Sequence, residues 1–169
     1  MDVSLNPLGA LKKSVNDGCE LCRSDGGQVL WRGPQVRVVR VDDADYPGYL
    51  RLIWNAHVRE WSDLARAERA HCLEALAVAE RLVRDATGAE KMNIASLGNL
   101  VPHLHWHLIA RFRDDAHFPQ PIWGTRQRQP AVDGLARRRE AMTGLGPVLA
   151  AALDGIEAAG ATVRDKNPI

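Results

Sequence analysis

Three of the six histidines fall within five residues, as His103-Leu104-His105-Trp106-His107. On an extended strand alternate side chains share one face, so these imidazoles would line a single surface while Leu104, Trp106 and Leu108 point into apolar packing. Two chemistries suit such a row. A neutral imidazole is nucleophilic near pH 7 without first losing a proton, provided its other ring nitrogen donates a hydrogen bond that fixes the tautomer. Two histidines at i, i+2 can also coordinate zinc, and His57 and the pair Cys19-Glu20-Leu21-Cys22 are available as further ligands. The remaining alternative is a partly buried polar face on a half-exposed strand.

The cysteines bear on the same question. The amino terminus lacks a basic segment followed by a long apolar stretch, and no apolar run approaches the ~20 residues needed to span a bilayer, which reads as a cytoplasmic chain with no membrane partner. In a reducing compartment three cysteines favour thiol or metal chemistry over a disulfide. Cys72 falls on an apolar helical stripe and reads as packing. The 22 basic and 21 acidic side chains nearly cancel, so an anionic ligand has to be held locally, and the short run Arg137-Arg138-Arg139 is a solvated helix face that implies no nucleic-acid partner.

The elements that must carry these residues follow from pattern. Gln28–Trp31, Val36–Val41 and Tyr49–Trp54 read as strands, separated by a Gly33-Pro34 turn and a polar loop from Asp42 to Gly48. Leu64, Cys72, Leu76, Ala79 and Val83 then recur at helical spacing, with Ser62 or Asp63 as cap and Gly88 as stop. Lys91–Leu97 and His103–Arg111 are two further strands, joined through a Gly98-Asn99 turn, with Pro102 marking an edge position or a strand start. A helical segment from about Leu135 is interrupted at Gly144–Pro147, and a last helix runs from Pro147 to Ala158. Strands, a long helix, strands and terminal helices with short connections give an α+β class with an antiparallel sheet of about five strands in a single domain of 169 residues.

At this point the chain resembles the histidine triad (HIT) family, whose signature His103-Leu104-His105-Trp106-His107-Leu108-Ile109 matches throughout. The resemblance extends over about residues 19–124, through Cys19-Glu20-Leu21-Cys22, Pro47-Gly48, His57, Asn93 and Gly98-Asn99. Met92–Asn99 and Pro121-Ile122-Trp123-Gly124 are similar to a bacterial branch described as diadenosine polyphosphate hydrolases. It implies an amino-terminal extension over 1–18, a catalytic domain over 19–124 and a helical extension over 125–169 packed on that domain. It further implies a homodimer in which two sheets join across a two-fold axis.

The chemistry the resemblance implies is attack by His105 on the α-phosphorus of a dinucleoside polyphosphate or nucleoside phosphoramidate, giving a nucleotidyl-histidine that water hydrolyses to a nucleoside monophosphate. His107 would assist at the phosphate or leaving group, Asn93, Gly98 and Asn99 would serve the phosphate, and Asp42, with Asp43 as alternative, would accept from the ribose hydroxyls. In some bacterial relatives two cysteines, the histidine before the helix and the first triad histidine hold zinc. Here these are Cys19, Cys22, His57 and His103, a closed set that would be structural, with no metal required for the chemistry. Trp123 reads as an aromatic wall for a base or leaving group, as part of a dimer contact or as a partly buried aromatic with no ligand role, and Arg111 either meets phosphate or is solvated or salt-bridged.

Three positions depart from the family pattern. Asn99 stands where glutamine is more usual, Leu100 where several relatives have a hydroxyl residue, and Tyr49 where well-studied relatives carry a fourth histidine. A phenol at 49 can serve as a hydrogen-bond partner but cannot hold a second positive charge. These changes keep two alternatives open: a zinc-stabilised nucleotide-binding protein whose catalysis is weak or lost, and a hydrolase whose zinc does the chemistry.

Overall fold

A computed structural model describes residues 16–165. Five strands, β1 (Gln28–Arg32), β2 (Val36–Arg40), β3 (Tyr49–Trp54), β4 (Lys91–Ala95) and β5 (His105–Arg111), form one antiparallel sheet in the order β1-β2-β3-β5-β4. The helices are α1 (Glu20–Arg23), α2 (Arg66–Thr87), α3 (Val132–Ala141) and α4 (Leu145–Asp165). The α+β expectation of an antiparallel sheet with one long helix and carboxy-terminal helices holds.

One sheet face carries the main core. Val36, Val38, Leu50, Leu52, Trp106 and Leu108 project from it onto Cys72, Leu76, Ala79 and Val83 of α2 and Leu149 and Leu153 of α4. The helical stripe read from the sequence is thus the buried face of α2, and burial pushes the Cys72 thiol up to about 12, which fits a packing role. The opposite face presents Arg37, Tyr49, Arg51, His105, His107, Arg111 and Asn93. The register sets Arg51 across from His107 and Asn93 across from Ile109.

Several boundaries differ from expectation, each for a packing reason. Helix α2 is capped at Ala65 rather than at Ser62 or Asp63, with the Ala65 N–H donating to the Glu68 carboxylate at 2.8 Å. Residues Trp61–Asp63 form a 3₁₀ turn whose Trp61 ring meets Trp106 edge-on at 5.1 Å. Strand β4 stops at Ala95 and β5 starts at His105, so residues 96–104 are a long connection, not a two-residue turn at Gly98-Asn99. Because β5 lies between β3 and β4, Pro102 precedes an interior strand and marks no edge. Gly88 closes α2 in the left-handed conformation, as its position suggested. Pro147 lies in the first turn of α4, where its missing N–H has no intrahelical acceptor to lose.

The row of histidines is not half-exposed. Residues after Ala95 and after Arg111 cover the second face, leaving His103, His105 and His107 at 1%, 7% and 6% exposure.

Candidate active site and metal centre

His103 lies just ahead of β5, and its environment separates it from the other two. Its Nε2–H donates to the Trp54 carbonyl at 2.7 Å, which leaves Nδ1 as a lone pair. That nitrogen faces Cys19 Sγ at 3.4 Å and Cys22 Sγ at 3.6 Å, while Cys22 Sγ is also 3.4 Å from His57 Nδ1. All four ligand atoms lie within 4.8 Å of one another. Tetrahedral zinc with bonds of about 2.3 Å to sulfur and 2.0–2.1 Å to nitrogen holds unlike ligands about 3.5 Å apart. The donor set and its spacing therefore fit zinc. The one-turn α1, which carries Cys22 and is N-capped by Cys19, is held by Arg37, whose guanidinium donates to the carbonyls of Leu21 and Asp25 and to Asn55 Oδ1.

His105 is oriented by the backbone of this cluster. Its Nδ1–H donates to the His103 carbonyl at 2.6 Å, so the unprotonated Nε2 is left for chemistry. Burial lowers the pKa of His105 despite the opposing bond to the His103 carbonyl, and burial with the neighbouring His105 and Arg51 brings His107 down to about 4. Both rings are neutral at pH 7. They meet edge-on with centroids 4.8 Å apart.

His107 is held through the Tyr49 phenol, whose oxygen is 2.6 Å from His107 Nδ1. Burial raises the Tyr49 pKa, so the phenol keeps its proton and donates it to that nitrogen. The His107 hydrogen then sits on Nε2. One imidazole offers a lone pair and its neighbour an N–H, a pairing suited to attack at phosphorus with support for a developing oxyanion.

Both rings line a cavity of about 390 Å³ whose wall also includes Arg51, Gly98, Asn99 and Trp123. Gly98 has φ +80°, a conformation that favours glycine and turns the 96–104 connection over the site. Trp123 packs edge-on against His107 with centroids 5.1 Å apart, so it is a wall of the cavity. Leu100 is 97% exposed at its rim.

The HIT domain family profile matches residues 25–114, more than half of the chain, including the whole histidine row. The chain belongs to the histidine triad family. A histidine triad protein from Bradyrhizobium japonicum is 31% identical over 69% of this chain and 91% of its own, with a TM-score of 0.57. One from Marinobacter aquaeolei is 26% identical over 75% of this chain and 93% of its own, with a TM-score of 0.60. One from Sinorhizobium meliloti is 31% identical over 69% and 90%, with a TM-score of 0.54. No curated protein matches the chain. Histidine triad proteins are nucleotide-binding and generally hydrolases or transferases.

Within this histidine triad site the structure joins some of the expected residues and separates others. His105, His107, Gly98 and Asn99 share one cavity, and Cys19, Cys22, His57 and His103 share one cluster. Asn93 faces the same side of the sheet, but its side-chain oxygen accepts from Arg111 and it lines a neighbouring groove. Asp42 lines a separate cavity of about 130 Å³ beside Arg40 and Arg139, and Asp43 accepts the backbone N–H groups of Asp45 and Tyr46. Arg111 is salt-bridged to Asp115 at 2.7 Å and fully buried, the second of its two expected roles. Arg51 was missed. The available signal was a lone charge inside the apolar run Tyr49-Leu50-Arg51-Leu52-Ile53, at the register position that shares a face with Tyr49.

Proposed function

We propose that the protein is a nucleotide hydrolase or transferase in which His105 Nε2 attacks the α-phosphorus of a dinucleoside polyphosphate or nucleoside phosphoramidate. The bond from Nε2 to phosphorus forms as the bond to the leaving group breaks, and the leaving group takes the electron pair. Water then displaces His105, releasing a nucleoside monophosphate. The observation that carries this reading is the 2.6 Å bond from His105 Nδ1 to the His103 carbonyl, which fixes the nucleophilic tautomer at the cavity wall. His107 donates from Nε2 to the phosphate or the departing atom, and Gly98 and Asn99 serve the phosphate oxygens. Asn93 acts through Arg111, and Asp42 has no contact with this cavity.

Cys19, Cys22, His57 and His103 hold zinc in a structural role. Four protein ligands leave no position for a water, and the site reaches the chemistry only through the His103 backbone. Reduced thiols of this kind suit a cytoplasmic location. Strand β4 is a sheet edge with Ile94 at 47% exposure, which supports a homodimer formed by joining β4 to its copy. A dimer mass in light scattering tests that arrangement.

The test of the mechanism is rapid quenching with diadenosine tetraphosphate and adenosine phosphoramidate, followed by mass spectrometry. A nucleotidyl adduct on the His105 peptide, absent in His105→Ala together with a rate loss of at least about 10³-fold, is expected. Full activity in the alanine variant refutes the nucleophile. A second reading, a nucleotide-binding protein with weak catalysis, is favoured by the engagement of Asn93 with Arg111; binding of AMP without turnover by the wild type would establish it.

A further inference from the structure

Four arginines project from the histidine face of the sheet, and their partners differ: Arg32, opposite Arg37 in the β1–β2 ladder, is ion-paired with Asp25. Arg37 spends its donors on three carbonyls and Asn55. Arg111 is paired with Asp115 and also donates to the Gln120 carbonyl and Asn93. Arg51 has neither kind of saturation. Its Nη1–H donates to the Gly26 carbonyl at 3.2 Å, its Nε is buried without a hydrogen-bond partner, and among the described residues no carboxylate lies within ion-pair distance of it. A buried donor without an acceptor is destabilising in the free protein and invites one from a ligand.

Its position says which ligand. Arg51 pairs with His107 across the β3–β5 ladder and lines the same cavity as His105 and His107. Side chains directly opposite on one face stand with Cβ atoms about 4.5–5.5 Å apart, so a phosphate next to the one meeting His105 falls within reach of the guanidinium. Arg51 is the one arginine, lysine or carboxylate side chain among the residues that line this cavity, and its planar, permanently protonated fork matches adjacent oxygens of a phosphate.

Building on the nucleotidyl-transfer reading, we propose that Arg51 is a specificity-determining residue that binds a second phosphate of the substrate, so that the site takes nucleotides with a chain of two or more phosphates in preference to singly charged nucleoside phosphoramidates. In the step it serves, the bond from His105 Nε2 to the α-phosphorus forms and the bridging P–O bond breaks. The electron pair goes to the departing phosphate oxygen, beside the guanidinium. A singly charged phosphoramidate places no second anion there and gains nothing from Arg51.

The test compares kcat/KM for diadenosine tetraphosphate and adenosine phosphoramidate in wild type, Arg51→Met and Arg51→Lys. The ratio of the two is expected to fall about 30-fold in Arg51→Met and to stay within about 5-fold in Arg51→Lys. Because both substrates meet the same sample, loss of folded protein cancels from the ratio. An unchanged ratio in folded Arg51→Met overturns the proposal and leaves the hydrolase reading standing. The second measurement needs no turnover and no folded methionine variant. Inorganic pyrophosphate is titrated into wild-type protein while the side-chain Nε–H resonance of Arg51, assigned by its loss in Arg51→Lys, is followed by NMR. A saturable shift supports the role even if neither substrate is turned over. Where turnover is absent or Arg51→Met does not fold, an unshifted resonance overturns it.

Discussion

The Tyr49 hydroxyl lies 2.6 Å from Nδ1 of His107 and decides which nitrogen of that ring carries the hydrogen. Tyr49→Phe removes the donor and leaves a buried nitrogen unpaired. A fall in kcat/KM of about 10–100-fold is expected, with a stability loss of about 1–3 kcal/mol. Two-dimensional NMR of the ring nitrogens distinguishes this from general damage: the wild type has the His107 hydrogen on Nε2, and the variant has a mixture. A wild-type His107 protonated on Nδ1 would contradict the assignment. Tyr49→His, whose imidazole N–H can also donate to that nitrogen, should recover most of the loss.

Acid sensitivity follows from the same ring. His107 has its folded pKa lowered from 6.5 to about 4, so the unfolded chain binds the extra proton first as pH falls. Stability is complete above pH 6.5 and declines between 6.5 and about 4, by on the order of 3 kcal/mol from this group. His105 is shifted in the same direction by burial and adds to the slope. Urea denaturation from pH 7.5 to 4.5 should show a falling midpoint. Replacing His107 with Gln should flatten the curve.

The metal centre predicts one zinc per chain by elemental analysis. Its removal by a chelator, or Cys22→Ser, should lower the melting temperature by more than about 5 °C. Turnover per folded molecule should change little at a temperature where the fold persists, apart from whatever movement of the His103 carbonyl the loss allows. Rate loss in a sample with intact near-ultraviolet circular dichroism would instead point to catalytic zinc.

Asp115 organises the far end of β5. Its carboxylate accepts from Arg111 at 2.7 Å, from the backbone N–H groups of Phe112, His117 and Phe118, and from the Tyr46 hydroxyl. These donors hold its pKa below the usual carboxylate range against the effect of burial. Asp115→Ala strands the Arg111 charge in the interior and should destabilise the protein by about 3–5 kcal/mol, read from denaturant unfolding. The double variant Asp115→Ala, Arg111→Met should recover part of that loss, since no charge is then left buried.

Alternation alone put His105 and His107 on one face opposite Trp106 and Leu108, because the side-chain period of a strand depends only on local backbone geometry. The period of α2 and its Gly88 stop were legible for the same reason. The Cys19–Cys22 spacing named half of a metal cluster, and family likeness supplied His57 and His103. Other features required the chain to be folded. Leu104 begins no alternating strand because its N–H bonds to Val58 and its carbonyl to Trp54, and this turns His103 away from His105 and His107 toward the cysteines. The union of Tyr49 with His107 and of Arg111 with Asn93, and the lack among the described residues of a carboxylate for Arg51, are set by strand order and register, which no local pattern encodes; the Arg111–Asp115 pair is local, four residues apart at the end of β5. The neutrality of the triad imidazoles is likewise a consequence of burial by segments distant in sequence, which is why residue types alone suggested the chemistry while the tertiary structure decided the protonation and the charge that accompany it.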